Sequence, residues 1–140
     1  MKVSCYILLS LLFAGALHAE NVQFRGVLIQ ASSTPGPADP KLANIQKKLG
    51  NFPYKSFSYV GEGQGEIDVP GKISFGVGGG STLDVEAVEI AGKQVKTSLQ
   101  WKRGGKTAID TTIGINKGSG TILGGPKNGN GVLILYLTVK

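Results

Sequence analysis

The chain has 140 residues, 22 of them glycine, and a formal net charge of +6 at pH 7. Its single cysteine, Cys5, and its single histidine, His18, both lie in the N-terminal segment 1–19. If that segment is removed, no thiol and no imidazole remain, which excludes Ser-His-Asp and Cys-His catalysis, Cys- or His-ligated zinc, and c-type haem. Carboxylate, lysine, tyrosine and hydroxyl chemistry remain, and no cofactor is expected.

The N-terminal segment has the pattern of a cleavable secretion signal. Lys2 provides a basic start, residues 7–17 are apolar, and the chain becomes polar at His18. This order is typical of a secretory signal, and the apolar run is shorter than the roughly 20 residues that a membrane-spanning helix needs. We expect cleavage after Ala19, with Ala16 as the alternative. The mature protein is then secreted or periplasmic and has no membrane span.

Residues 20–140 have the length of a single domain and carry fourteen basic and nine acidic residues. This modest excess suits either plain solubility or contact with acidic surfaces such as anionic glycans. The lysines are scattered instead of forming a run of about five or more, so no nucleic acid partner is expected. The densest basic group lies on one predicted hairpin and includes Lys102 and Arg103.

The first predicted strand covers residues 22–31. Its early half alternates apolar and polar residues, whereas Val27 to Ile29 are apolar on both faces, which is typical of a strand that enters a core. Three prolines in the following segment, residues 32–40, predict a loop.

One helix is predicted, from Pro40 to about Gly50. Asp39 is placed to cap it, Pro40 suits the first turn, and Gly50 suits the end. The predicted helix is only about three turns long, so tertiary packing must hold it in place. We expect it to act as a lid over one open end or face of the sheets. Its apolar stripe consists of Leu42, Ile45 and Leu49.

From Tyr54 onward, apolar and polar residues alternate with a period of two. The phase slips at Ala87-Val88, which predicts a β-bulge, and glycines predict a long loop over residues 124–131. Residues 132–139 are apolar on both faces, which predicts a central strand. About eight short strands separated by turns predict an antiparallel β-sandwich, or a partly open barrel, with one short helix near the N-terminus.

The acidic, glycine-rich segment 61–68 is the first candidate site. Three carboxylates on a glycine loop could hold calcium, and Glu62 with Glu66 could form the carboxylate pair of a hydrolase. All three occupy even-numbered positions, so on a strand they would line one solvent-exposed face, which is the favoured interpretation. The candidate metal ligands are Glu62, Glu66 and Asp68.

Aromatic residues provide the second candidate site, because exposed rings on a β-sandwich can stack on sugars. Trp101 is the only tryptophan, but it shares a strand face with Val95 and Leu99, which favours packing in the core. It also lies near a predicted hairpin tip, where its edge could be exposed. The candidate binding residues are Trp101, Tyr59, Lys102 and Arg103.

The leading functional hypothesis is a non-enzymatic interaction or structural module of the cell envelope or exterior. Such a module would bind a protein partner or associate with itself. The first alternative is a carbohydrate-binding module that uses Trp101 and tyrosines. The second is a carboxylate-dependent hydrolase that uses Glu62 and Glu66.

Overall fold

A computed structural model describes residues 20–140, so the predicted signal and both predicted cleavage positions lie outside the described residues. The described chain forms an antiparallel β-sandwich with one short helical segment, which confirms the predicted fold class. None of its helices is long and apolar enough to cross a membrane. The strands are β1 (Glu20–Ser32), β2 (Ser56–Val69), β3 (Gly71–Gly78), β4 (Ser81–Ala91), β5 (Gln94–Arg103), β6 (Lys106–Asn116), β7 (Ser119–Asn128) and β8 (Gly131–Val139).

Each sheet has four strands. The first sheet has the order β2-β1-β8-β7, and the second has the order β3-β4-β5-β6. Side chains alternate between the two faces of each strand, and the inward-facing apolar residues of both sheets meet in one core. Its largest fully buried members include Trp101, Phe24, Leu28, Leu83, Leu99, Leu135 and Leu137.

The two strands predicted to be apolar on both faces occupy the middle of the first sheet. β8 lies between β1 and β7, as predicted for residues 132–139. Leu28 and Leu135 point into the inter-sheet core, while Ile29 and Ile134 are fully buried on the opposite, outer face. That outer face therefore needs a cover, because water would otherwise contact a continuous apolar surface.

The cover is a helical segment, called the lid below, which consists of a 3₁₀ helix Pro40–Ile45 followed by one α-helical turn, Gln46–Leu49. Its stripe of Leu42, Ile45 and Leu49 is buried against the outer face of the first sheet. The predicted cap is confirmed, since Asp39 accepts a hydrogen bond from the Lys41 amide at 3.0 Å. The predicted short helix is confirmed, although it is not α-helical throughout, because the chain is wound as 3₁₀ until Ile45. The buried pair Leu42 and Ile45 has the i, i+3 spacing that aligns side chains in a 3₁₀ helix.

The glycines of segment 61–68 lie within β2, so the predicted glycine loop is wrong. A Cβ at Gly63 would collide with the carbonyl oxygen of Gly76, and one at Gly61 would collide with that of Val77. These glycines therefore let the backbones of β2 and β3 approach closely along one side of the sandwich.

The predicted loop at residues 124–131 is also mostly strand. β7 continues to Asn128 with an irregularity between Gly124 and Lys127, and only a tight turn separates it from β8. Gly125 packs under the indole of Trp101, where a Cβ would collide with the ring. The β-bulge predicted at Ala87-Val88 is confirmed by a register shift at that point of β4.

Candidate functional site

The outer face of the first sheet changes character along its length, and the best candidate site lies where the change occurs. The lid covers the apolar half, whereas the other half carries polar side chains of β1 and β2. Between the two is a cavity of about 320 Å³, called the lid cleft below. The lining residues are Arg25, Val27, Lys41, Leu42, Asn44, Ile45, Tyr59, Glu62 and Tyr136.

A hydrogen-bonded ion pair forms the floor of the lid cleft. Arg25 of β1 donates from Nε to Oε2 of Glu62 at 2.6 Å, and Tyr59 donates from its hydroxyl to Oε1 of the same carboxylate at 2.8 Å. The antiparallel pairing of β1 with β2 places these side chains together, with Val27 opposite Glu62. Both oxygens of Glu62 therefore have a protein partner.

These contacts keep the site charged at neutral pH. Hydrogen bonds from Arg25, and then from Tyr59, lower the pKa of the Glu62 carboxyl. The same contact with Glu62 raises the pKa of Arg25, and the hydrogen bond to Glu62 raises the pKa of the Tyr59 hydroxyl. Glu62 is a carboxylate at pH 7, so it does not have the raised pKa that a glycosidase acid needs.

Lysines of the lid lie over both tyrosine rings of the cleft. Lys41 Nζ is 4.7 Å from the ring centroid of Tyr59. Lys48 Nζ is 5.2 Å from the ring centroid of Tyr136 and donates to its hydroxyl at 3.4 Å. These distances are within the range of cation–π contacts. The cleft thus combines aromatic surface, positive charge and hydroxyl groups.

The three predicted calcium ligands lie along the exposed face of β2. Glu62 accepts hydrogen bonds from Arg25 and Tyr59. Asp68 accepts one from Asn21 Nδ2 at 3.2 Å, and Glu66 lies opposite Gln23. In residues 20–140, no group of three or more His, Cys, Asp or Glu is placed to hold a metal ion. Glu62 and Glu66 are four residues apart on a strand, about 13 Å between Cα atoms. The carboxyl groups of glycosidases are only about 5–9.5 Å apart.

The four predicted binding residues do not form one site. Trp101 is fully buried between the sheets, so the prediction that it binds a ligand is wrong and the preference for core packing is confirmed. Lys102 lies on the outer face of the second sheet, with Nζ 2.7 Å from Asp84 Oδ2. Arg103 donates to Asn128 Oδ1 at 2.9 Å. Only Tyr59 belongs to the lid cleft.

The candidate residues from the sequence did not include the two cations of the lining, Arg25 and Lys41, or its second tyrosine, Tyr136. Tyr136 is the one aromatic residue in the mostly apolar strand VLILYLTV, and its hydroxyl group was a usable signal. Arg25 and Lys41 carried no comparable signal, because their partners are 37 and 18 residues away in the chain.

A second concavity, about 370 Å³, lies on the outer face of the second sheet. Its lining contains no aromatic residue, and each of its charged groups has a hydrogen-bond or ion-pair partner. Ser74 donates to Asp84, which also pairs with Lys102, and Lys72 lies 3.7 Å from Glu86. With neither an aromatic wall nor a covering segment, this surface is a weaker candidate than the lid cleft.

Comparison with known proteins adds no assignment to this geometry. The chain matches no family model, no curated protein and no solved structure. The site is therefore interpreted from its own residues.

Proposed function

We propose that this protein is an exported, non-catalytic binding module and that the lid cleft binds an acidic saccharide of the cell exterior. The observation that carries the proposal is the placement of Lys41 and Lys48 over the rings of Tyr59 and Tyr136. A cleft with aromatic walls and positive charge suits a ring-shaped ligand that carries an anionic group.

The charge of the cleft favours an acidic ligand. Arg25, Lys41 and Lys48 surround it, and Lys47 extends the positive surface of the lid. Glu62 is the one acidic residue in the lining, and Arg25 already neutralises it at 2.6 Å. The two lid ammonium groups contact tyrosine rings and not carboxylates, so an anionic ligand could recruit them without breaking an ion pair.

The surface next to the cleft favours a saccharide over a simple anion. Beyond Arg25, the outer face of β1 and β2 continues with the amides of Gln23, Gln64 and Asn21, next to the carboxylates of Glu66 and Asp68. Amide groups both donate and accept hydrogen bonds, as the recognition of hydroxyl groups requires. A short oligosaccharide could place one acidic ring in the cleft and direct the hydroxyl groups of its next rings to these amides, with its other acidic groups turned away from Glu66 and Asp68.

Binding without catalysis is the better match to the carboxylates. Glu62 has a lowered pKa and two protein partners, and Glu66 is too far along the strand to act with it on one bond. These features support a binding role over the hydrolase alternative.

Titration calorimetry with two hexasaccharides tests the proposal. Oligogalacturonate carries one carboxylate per ring, and maltohexaose is neutral. We expect oligogalacturonate to bind, with an affinity that falls as salt is added, and maltohexaose to bind at least about tenfold more weakly. Lys41→Glu should lower the affinity for oligogalacturonate by about tenfold or more, because it replaces an attractive charge by a repulsive one.

Lys72→Glu is the matched control, since it makes the same charge change at an exposed lysine on the opposite sheet. Equal weakening by both variants would indicate a general charge effect and would contradict a site in the lid cleft. Failure to bind oligogalacturonate, or equal affinity for the neutral hexasaccharide, would contradict an acidic saccharide as the ligand.

A further inference from the structure

The two lateral sides of the sandwich differ in how their edge strands are covered. On one side, Gly61 and Gly63 bring the backbone of β2 directly against that of β3. On the other side, β6 and β7 are the edges of different sheets. β7 is a poor partner for another strand, because it contains Pro126 and an irregularity between Gly124 and Lys127.

β6 has no such protection over most of its length. The pairing of β6 with β5 is irregular only near the start of β6, before Ile109, which pairs with Trp101. Residues 109–116 therefore form a regular strand, and they contain no proline. Within the described chain, β6 pairs with β5 alone. Every second residue therefore directs its backbone N–H and C=O away from the sheet, where they are free to pair with another strand.

The inward-facing side chains of β6 are also incompletely covered. Ile109 and Ile113 are only partly buried, whereas Leu99 and Trp101 on the neighbouring strand β5 are fully buried. A strand added beside β6 would bury more of these isoleucines and satisfy the free backbone groups at the same time.

We infer that β6 is an interface strand that pairs antiparallel with β6 of a second copy, joining the two second sheets into one continuous sheet of eight strands. The register places Thr112 opposite its own copy. The proposed dimer depends on β6 alone and is independent of the ligand proposed for the lid cleft.

The side chains of β6 are compatible with a second copy as partner and favour one register. With Thr112 on the two-fold axis, Ile109 of one copy faces Ile115 of the other, and Asp110 faces Gly114. Apolar side chains therefore face each other, and no two like charges lie opposite one another. The alternative with Thr111 on the axis places the two Asp110 carboxylates diagonally, about 7–8 Å apart, which is unfavourable. The preferred register also uses only residues beyond the irregularity.

Pairing over about seven residues on each chain is a small interface compared with the roughly 1,600 Å² of a standard one. The association should therefore be weak, with a Kd between about 10 µM and 1 mM. Sedimentation velocity from about 5 µM to about 1 mM covers that range, and we expect the weight-average mass to rise from monomer towards dimer.

A charge exchange at the axis tests the register. Thr112 is exposed, and its hydroxyl forms a hydrogen bond with Ser98 Oγ at 3.1 Å. Thr112→Lys opposes two lysines and Thr112→Asp opposes two aspartates, so each variant alone should dimerise at least about tenfold more weakly than the unchanged protein. An equimolar mixture places lysine opposite aspartate and should recover dimerisation.

Ser74→Lys on β3, the other edge of the same sheet, is the matched control and should leave dimerisation unchanged. Circular dichroism of each variant establishes that it is folded. A protein that stays monomeric up to about 1 mM, variants at Thr112 that dimerise normally, or a mixture that does not recover would each overturn the inference. Because oligosaccharide binding is measured separately, failure here leaves the lid cleft untouched.

Discussion

The two sheets share one core but have outer faces of opposite character. The first sheet carries a second apolar cluster on its outer face, where the lid covers Ile29 and Ile134. The second sheet carries only polar and charged side chains along the middle of its outer face, such as Asp84 and Lys102. The difference arises from the strands themselves, because β1 and β8 are apolar on both faces, whereas β5 and the part of β4 before its bulge alternate.

A similar ion pair has a different role on the outer face of each sheet. Arg25–Glu62 and Lys102–Asp84 are both partly exposed cross-strand pairs, at 2.6 and 2.7 Å. Exposed pairs of this kind stabilise a fold only slightly. On the first sheet, the lid adds tyrosine rings, further cations and a wall, so the pair becomes the floor of a cleft. On the second sheet, the pair remains part of an open surface.

The largest effect is expected from removing the apolar anchor of the lid. Leu49→Ala deletes a fully buried side chain and should lower the free energy of unfolding by about 2–5 kcal/mol. Ser98→Ala, on the outer face of the second sheet, is the control and should change it by less than about 0.5 kcal/mol. Urea denaturation measures both. A similar small effect for the two variants would mean that the lid does not contribute to stability.

A smaller effect is expected from Asp39→Ala at the start of the lid. The carboxylate accepts from the Lys41 amide at 3.0 Å and from the Tyr59 amide at 2.9 Å, so the substitution disconnects the lid from β2. We expect Tm to fall by about 3 °C and amide exchange to accelerate at Lys41 and Tyr59. Asp110→Ala, a carboxylate of the second sheet, should leave both amides unchanged.

The smallest effect is the dependence of stability on acid pH. The pKa of Glu62 is lowered by Arg25, and that of Asp84 is lowered by Lys102, so the unfolded chain binds these protons more readily. Their contribution is therefore present above the ordinary pKa values, 4.5 for Glu62 and 3.8 for Asp84, and is lost as the pH falls below them. Between about pH 5 and 3, Glu62→Gln should reduce the acid-induced loss of unfolding free energy by less than about 1 kcal/mol, because the Arg25–Glu62 pair is exposed to solvent.

Asp84→Asn should produce a similar change in a slightly lower pH range, because its partner Lys102 occupies an equivalent cross-strand position and the ordinary pKa of an aspartate is lower. The variants differ in a second measurement, because only Glu62→Gln should alter oligogalacturonate binding. An equal change in oligogalacturonate binding in both variants would remove the proposed distinction between the two faces.

Local patterns in the sequence were sufficient to predict the sandwich, the number of strands, the bulge near Ala87 and the Asp39 cap. Each depends on neighbouring residues, through the two-residue period of a strand or the hydrogen bonds of a helix start. The same patterns misassigned the glycines at residues 61–65 and 124–125. Their role is to let another backbone or the Trp101 ring come close, and that neighbour is distant in sequence.

The sequence by itself therefore determined which residues face inward, including the even-numbered carboxylates of β2 that it placed on an exposed face. Only the tertiary structure decided that β1 pairs with β2 in the register that brings Arg25 to Glu62, and that the lid rests above Tyr59 and Tyr136. The physical reason is that strand pairing and lid packing join segments far apart in the chain. Alternation specifies the face of each residue, but it does not specify which strand lies beside it.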